Sequence, residues 1–233
     1  MLTVDGLQAG YGHAQVLFGV SLQVNDGELV TLMGRNGMGK TTTVRSIMGL
    51  LGPRGGRIVF DGQDIHGAAP ERVARLGAGL VPEGRQVFPT LTVRENLVAT
   101  AANRLKRADP WTLDKVYELF PRMKERAGQM AGTLSGGEQQ MLAVGRALMT
   151  NPKLLILDEA TEGLAPVIRA EIWHVVEQLK AQGQSILLID KNINVLKRLA
   201  DRHYILEKGN VVWTGDSTDL ARDADTVHGY VGI

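Results

Sequence analysis

The chain has no cysteine. Disulfides and thiolate metal sites are therefore excluded, which fits a reducing compartment. It has no excess of charge: 26 basic residues against 25 acidic leave a net of +1, too little for the electrostatic footprint of a nucleic-acid binder. Nor does it have a long apolar run. No stretch approaches the ~18 residues of a membrane span. The start, "MLTVDGLQAG", lacks the basic end and apolar core of a signal peptide. Internal repeats, low-complexity tracts and linkers are missing too. What is present is an apolar share of 44% in 233 residues, enough for one domain, or for one core with a smaller attached lobe. Glycine is in excess: 28 positions against a usual share of ~7% predict tight turns and close backbone approaches.

The first part of the chain reads as β-rich. "VLFGVSLQV" ends at the turn Asn25–Gly27, "LVTLMG" is a short apolar strand running into a glycine loop, and "GRIVFDGQDI" reads as a hairpin turning at Asp61-Gly62. From about Val93 to Thr150 the pattern is helical, in "TVRENLVATAANRL", "TLDKVYELFPRMKER" and the segment after Gly137. Then "KLLILD" and "SILLID", both fully apolar strands, flank the long helix "PVIRAEIWHVVEQLKAQG". Apolar strands alternating with helices predict a mostly parallel sheet covered on both faces, an α/β fold. The helical middle interrupts that alternation and reads as an inserted lobe. The expected plan is one domain over 1–233, with residues 1–90 and 151–233 as core and 91–150 as lobe.

"GRNGMGKTT", Gly34 to Thr42, matches G-x-x-x-x-G-K-S/T, and the expected strand–loop–helix context surrounds it. Phosphates need several backbone N–H donors in one place, which glycines permit by close approach. Gly34, Asn36, Gly37, Gly39, Lys40, Thr41 and Thr42 make up the expected nucleotide set. Lys40 reaches the β- and γ-phosphates and Thr41 holds Mg²⁺. In "LLILDE" a buried strand ends in two carboxylates. Asp158 suits water-mediated Mg²⁺ binding, and Glu159 can reach a water attacking the γ-phosphate. Both motifs fall at carboxyl ends of strands, where open α/β sheets bind ligands. A third stretch, "LSGGEQQ", has the capping-box pattern with Ser135 at the N-cap and Glu138 at N3. Its bare glycine backbone at a positive helix end also suits an anion.

In that order, P-loop, "LSGGEQQ" and "LLILDE" resemble the ATP-binding-cassette ATPases over nearly the whole chain. The resemblance implies a P-loop core with an antiparallel β subdomain and an inserted helical subdomain, and ATP hydrolysis coupled to transport across a membrane. It implies that Ser135, Gly136 and Gly137 bind the γ-phosphate of ATP held by a second cassette, and that Tyr11 stacks on adenine. Glu83 stands where most of the family has glutamine and would still ligate Mg²⁺ through oxygen. Three departures matter. Ala160 replaces a proline, Ala165 in "GLAP" lacks a carboxylate expected at the dimer contact, and Lys191 stands where most members carry a γ-phosphate-sensing histidine. Glu159, Lys40 and Lys191 are the expected catalytic set.

"VPEGRQVFPTLTVRENL" and "EGLAP" look most like the LivF-type ATPases of branched-chain amino-acid importers. That branch implies a LivG-type partner ATPase, membrane permease subunits, an extracytoplasmic solute-binding protein acting indirectly, and a peripheral place on the cytoplasmic face of the membrane. No nucleic acid is expected. Urea or amide importers and lipid or lipopolysaccharide exporters carry similar ATPases. A ribosome-associated cassette protein has two tandem cassettes, and this chain has one P-loop. A poorly hydrolysing ATP-binding module is countered by the retained Glu159 and Lys40.

Overall fold

Two sheets share one helix. The computed structural model describes residues 1–190 and 192–231. One sheet is antiparallel, in the order β2 (Ala14–Val24), β1 (Leu2–Tyr11), β4 (Gly55–Phe60), β5 (Gln63–Asp64). The other has six strands, in the order β10 (Asn210–Gly215), β9 (Arg202–Glu207), β3 (Leu29–Met33), β8 (Ser185–Ile189), β7 (Leu154–Asp158), β6 (Ala78–Val81). It is parallel except for β10. Every residue of β3, β7 and β8 is buried, as expected of parallel strands covered on both faces. Helix α1 (Lys40–Ile47) lies between the sheets, where Val44, Ile47 and Met48 pack with Leu2, Leu7, Leu17 and Phe60 in one core and Val30, Ile156 and Leu187 in the same cluster.

Val73 of the next helix joins the same cluster as α1, and the helices from residue 93 onward fill the other side. α2 (Pro70–Leu76) precedes β6, and α3 (Val93–Ala99), α4 (Leu113–Leu119), α5 (Pro121–Glu125) and α6 (Gly136–Leu148) separate β6 from β7. α7 (Pro166–Ala181) joins β7 to β8, α8 (Ile193–Leu199) follows β8, and α9 (Ser217–Arg222) and α10 (Ala224–Val231) close the chain. The Asp61-Gly62 hairpin is present, with φ of 50° and 74°, both positive as its two-residue turn requires. Two helix expectations need correction. "TVRENLVATAANRL" stops as a helix at Ala99. "TLDKVYELFPRMKER" is two helices, because Pro121 has no N–H to continue α4 and begins α5 instead. The β9–β10 hairpin was not among the elements expected from sequence.

A buried histidine ties β3 to the C-terminal segment. His203 of β9 has no exposed surface. Its Nδ1 is 2.8 Å from Thr31 Oγ1, and its Nε2 is 3.1 Å from Ser217 Oγ. Ser217 donates to the Ala200 carbonyl, so its oxygen accepts from Nε2–H and leaves Nδ1 to accept from Thr31. Burial pushes the imidazole down to about 4, against the opposing pull of Asp216 and Asp201. The unfolded chain takes up this proton near pH 6.5 and the folded chain only near pH 4. Stability from this site is thus present above pH 6.5 and lost as pH falls towards 4, by up to about 3 kcal/mol. His203→Asn should therefore cost stability at pH 7 and progressively less as pH falls. Urea denaturation from pH 7 to 4 measures the gap, and a constant gap would refute a neutral buried imidazole.

Candidate functional site

The glycine loop leaves β3 through Gly34, whose φ of 141° and closeness to Leu206 rule out a side chain: a Cβ there would stand 2.3 Å from the Leu206 carbonyl oxygen. The loop is braced from the β9–β10 turn by Gly209 N–H donating to Met38 O at 3.0 Å. Asn36 and Gly37 are exposed at its crest, and a Cβ at Gly37 would meet nothing within 4 Å, so the crest is open. Lys40 returns beneath the loop. Its buried ammonium donates to Gly34 O at 3.0 Å and Arg35 O at 3.1 Å and lies 3.3 Å from Glu159 Oε1. Thr42 is buried behind it.

β8 separates β3 from β7, and the shared parallel register brings the end of β7 to the same sheet edge. Thr41 Oγ1 donates to Asp158 Oδ1 at 3.4 Å. Burial pushes the Asp158 carboxyl up to about 6; the Thr41 hydrogen bond and the Lys40 and Arg45 charges oppose this, and the Glu83 charge adds to it. Glu159 has a φ of 51°, which turns the chain out of the strand while its N–H still pairs with Ile189 O at 2.9 Å. Burial pushes its carboxyl up to about 7, helped by a hydrogen bond with Glu162 and opposed by Lys40. Glu83 is exposed and lines, with Thr41, Arg45 and Asp158, a cleft of about 760 Å³. Tyr11 ends β1 with 42% of its surface exposed, and Arg45 of α1 donates to its hydroxyl at 3.5 Å.

A divalent cation can be tested against this donor set. The Thr41 hydroxyl and the Asp158 and Glu83 carboxylates are hard oxygens, the chemistry Mg²⁺ takes. Among the described residues no group of three or more His, Cys, Asp or Glu could hold a metal. The fit is to an ion that keeps water or phosphate oxygens for most of its shell. A nucleotide fits equally: an open glycine crest and a buried ammonium lie at the N-terminus of α1, and the exposed Tyr11 stands against Arg45 of the same helix.

Ser135 caps α6 with the expected box: its hydroxyl accepts from Glu138 N–H at 3.4 Å, and Glu138 Oε2 accepts from Ser135 N–H at 2.9 Å and from its hydroxyl at 2.7 Å. Among the described residues no hydrogen bond or ion pair joins residues 135–137 to the glycine loop, so the structure does not bring this element to the chain's own phosphate site. Lys191 lies outside the described residues. Sequence reasoning missed several neighbours. Thr161 Oγ1 donates to Asp190 Oδ2, and both line an opening of about 310 Å³ beside Glu159. Arg126 Nε lies 2.7 Å from Glu138 Oε1, and the Arg85 guanidinium packs on Gly136. Only Asp190 had a signal, as the acid ending a buried strand.

A strand–loop–helix phosphate cradle with an acid pair across one intervening strand defines the class, a P-loop ATPase of α/β architecture. Residues 17–162 match the family model described as ABC transporter, and the chain belongs to that family. It is 44% identical over 232 residues to the high-affinity branched-chain amino acid transport ATP-binding protein BraG of Pseudomonas aeruginosa, covering 100% of both chains. It is 33% identical to the lipopolysaccharide export system ATP-binding protein LptB of Escherichia coli, covering 99% of this chain and 97% of that one. Among solved structures it resembles the ADP conformation of an ATP-binding cassette of an ABC transporter, with a TM-score of 0.83, 28% identity, and 100% and 99% coverage.

The two glycines of "LSGGEQQ" also have different neighbours. A Cβ at Gly137 would stand 2.6 Å from Ile168 Cγ2, on a stiff β-branched side chain of α7; at Gly136 it would meet only the far end of Arg85. Gly137→Ala should therefore lower folding stability by about 1–3 kcal/mol, and Gly136→Ala by well under half of that. Urea midpoints of the two variants check this, and equal losses would remove the packing role from Gly137.

Proposed function

We propose that this chain is the ATP-hydrolysing subunit of an ABC importer for branched-chain or other hydrophobic amino acids, organised as one cassette over 1–233 with residues 91–150 as its helical lobe. The observation that carries the ATPase chemistry is the convergence of Lys40, Thr41, Asp158 and Glu159 at one sheet edge. The 44% identity to BraG over the full length supports the solute class. The lower identity to LptB makes an export role the lesser reading.

In this reading Gly34, Asn36, Gly37 and Gly39 present backbone N–H groups to phosphates, Tyr11 offers its exposed face to adenine, and Thr42 completes the nucleotide-binding set. Thr41, Asp158 and Glu83 hold Mg²⁺, which when bound neutralises charge on the β- and γ-phosphates. Lys40 exchanges the Gly34 and Arg35 carbonyls for phosphate oxygens. Glu159, with its carboxyl near neutrality, orients the attacking water and accepts its proton. Ser135, Gly136 and Gly137 face the nucleotide of a second cassette, for which a LivG-type partner is proposed. Glu83 and the loop after it lie on the side that meets the permease subunits. The proposed place is peripheral, on the cytoplasmic face, against the permease subunits; among the described residues no helix is long and apolar enough to cross a membrane. A solute-binding protein enters only through the permeases.

Glu159→Gln keeps the side-chain shape and removes the base. Turnover should fall by roughly 10²–10⁴-fold while ATP binding persists. Single-turnover hydrolysis and nucleotide titration measure the two separately. Hydrolysis at the wild-type rate would remove Glu159 from the mechanism and leave only its pairing with Lys40.

A further inference from the structure

Ser135 has one hydroxyl hydrogen, and the structure shows where it goes. It points at Glu138 Oε2, 2.7 Å away, within the chain's own capping box. One lone pair of the same oxygen accepts Glu138 N–H. The outward face of the hydroxyl is then a lone pair, which repels an anion instead of binding it. To donate to a phosphate, the hydroxyl must first release the carboxylate. An ionised carboxylate holds such a proton tightly, and a bare one at this place would itself repel the ligand.

Arg126 changes both terms. It follows α5, and its Nε lies 2.7 Å from Glu138 Oε1, the oxygen that Ser135 does not use. Its Nη1 donates to Gln129 Oε1 at 2.9 Å, and Gln129 N–H donates back to the Arg126 carbonyl at 2.8 Å, which fixes the guanidinium's approach. Glu138 is buried, with only 6% of its side chain exposed, so Arg126 is its direct ion-pair partner, and the Arg122 charge adds to it from further off. With Arg126 in place, box and arginine together are neutral. When the hydroxyl turns outward, Glu138 keeps Ser135 N–H at 2.9 Å and Arg126, so no buried oxygen is orphaned.

We propose that Arg126 is a positioning residue for ATP hydrolysis: through Glu138 it frees the Ser135 hydroxyl to donate to the γ-phosphate of a nucleotide held by the second cassette. This rests on the reading that the Ser-Gly-Gly end of α6 faces that nucleotide. The bland alternative is a half-exposed ion pair that merely decorates a helix cap; such pairs contribute little.

The two separate by a double-mutant cycle in the assembled transporter. Arg126→Ala should lower ATP turnover by about 10-fold or more and raise the ATP concentration for half-maximal rate, with ATP affinity of the isolated full chain unchanged. In the Glu138→Gln background, where no carboxylate remains to be neutralised, Arg126→Ala should cost nothing further. Arg126→Gln serves the same cycle if the alanine variant melts early. An Arg126 effect that persists undiminished in the Glu138→Gln background overturns the proposal, as does no effect in the single variant. Ser135→Ala isolates the underlying reading: slowed hydrolysis upholds it whatever Arg126 does, and wild-type hydrolysis removes it together with the proposal.

Discussion

The structure depends on the placement of one buried cation. Lys40 is 4% exposed, and an ammonium taken out of water needs partners for both its charge and its three donors. Two come from the backbone of its own loop, at Gly34 and Arg35. The counter-charge comes from Glu159, far along the chain, and reaches it only because β3, β8 and β7 lie parallel and in register. Removing one member of such a buried pair leaves the other without its partner. The fold thus has an electrostatic reason to bring the two strand ends together before any ligand is considered.

That arrangement leaves the site poised. Glu159 balances Lys40 in this structure, and in the proposed reading an arriving phosphate would take over that balance. Meanwhile burial and the neighbouring acids hold Asp158 near 6 and Glu159 near 7, both well above ordinary carboxylates. In the folded state these acids are less willing to ionise than in the unfolded chain, so at neutral pH they subtract from stability. A positive φ at Glu159 subtracts a little more. Strain and misfit charge at one strand end are what a polar ligand with its cation would relieve. His203, equally buried, has no such role: both ring nitrogens are satisfied by hydroxyls, and it acts as a neutral strut.

Much of this was legible in the sequence because it is local. A glycine loop between an apolar strand and a helix, an acid pair ending another apolar strand, and an S-x-x-E box each declare themselves within ten residues. The β-hairpin at Asp61-Gly62 was equally plain, since its turn chemistry sits in two adjacent residues. What sequence did not show is what depends on distance along the chain. The β9–β10 hairpin has a short turn at Lys208-Gly209, yet Arg202–Glu207 mixes charged and apolar residues and gives no clean alternation. Pro121 was readable as a break but sat in an otherwise helical pattern. Arg85 and Arg126 carried no signal, because nothing local distinguishes an arginine that lies against a glycine or a capping glutamate from one in solvent.

The Ser-Gly-Gly turn then explains why one motif supports two readings at once. As a cap it is complete: box closed, Glu138 held by Arg126, Gly137 pressed on Ile168. As an anion site it is unfinished, because the hydroxyl faces inward, onto Glu138. The closed box is therefore the resting arrangement, and the turned hydroxyl costs only one of the carboxylate's three hydrogen bonds. A motif whose ground state is a satisfied helix cap needs no partner to fold. It can still yield one donor to a partner's ligand without leaving a buried group unpaired, which is why structural and functional demands fall on the same four residues without conflict.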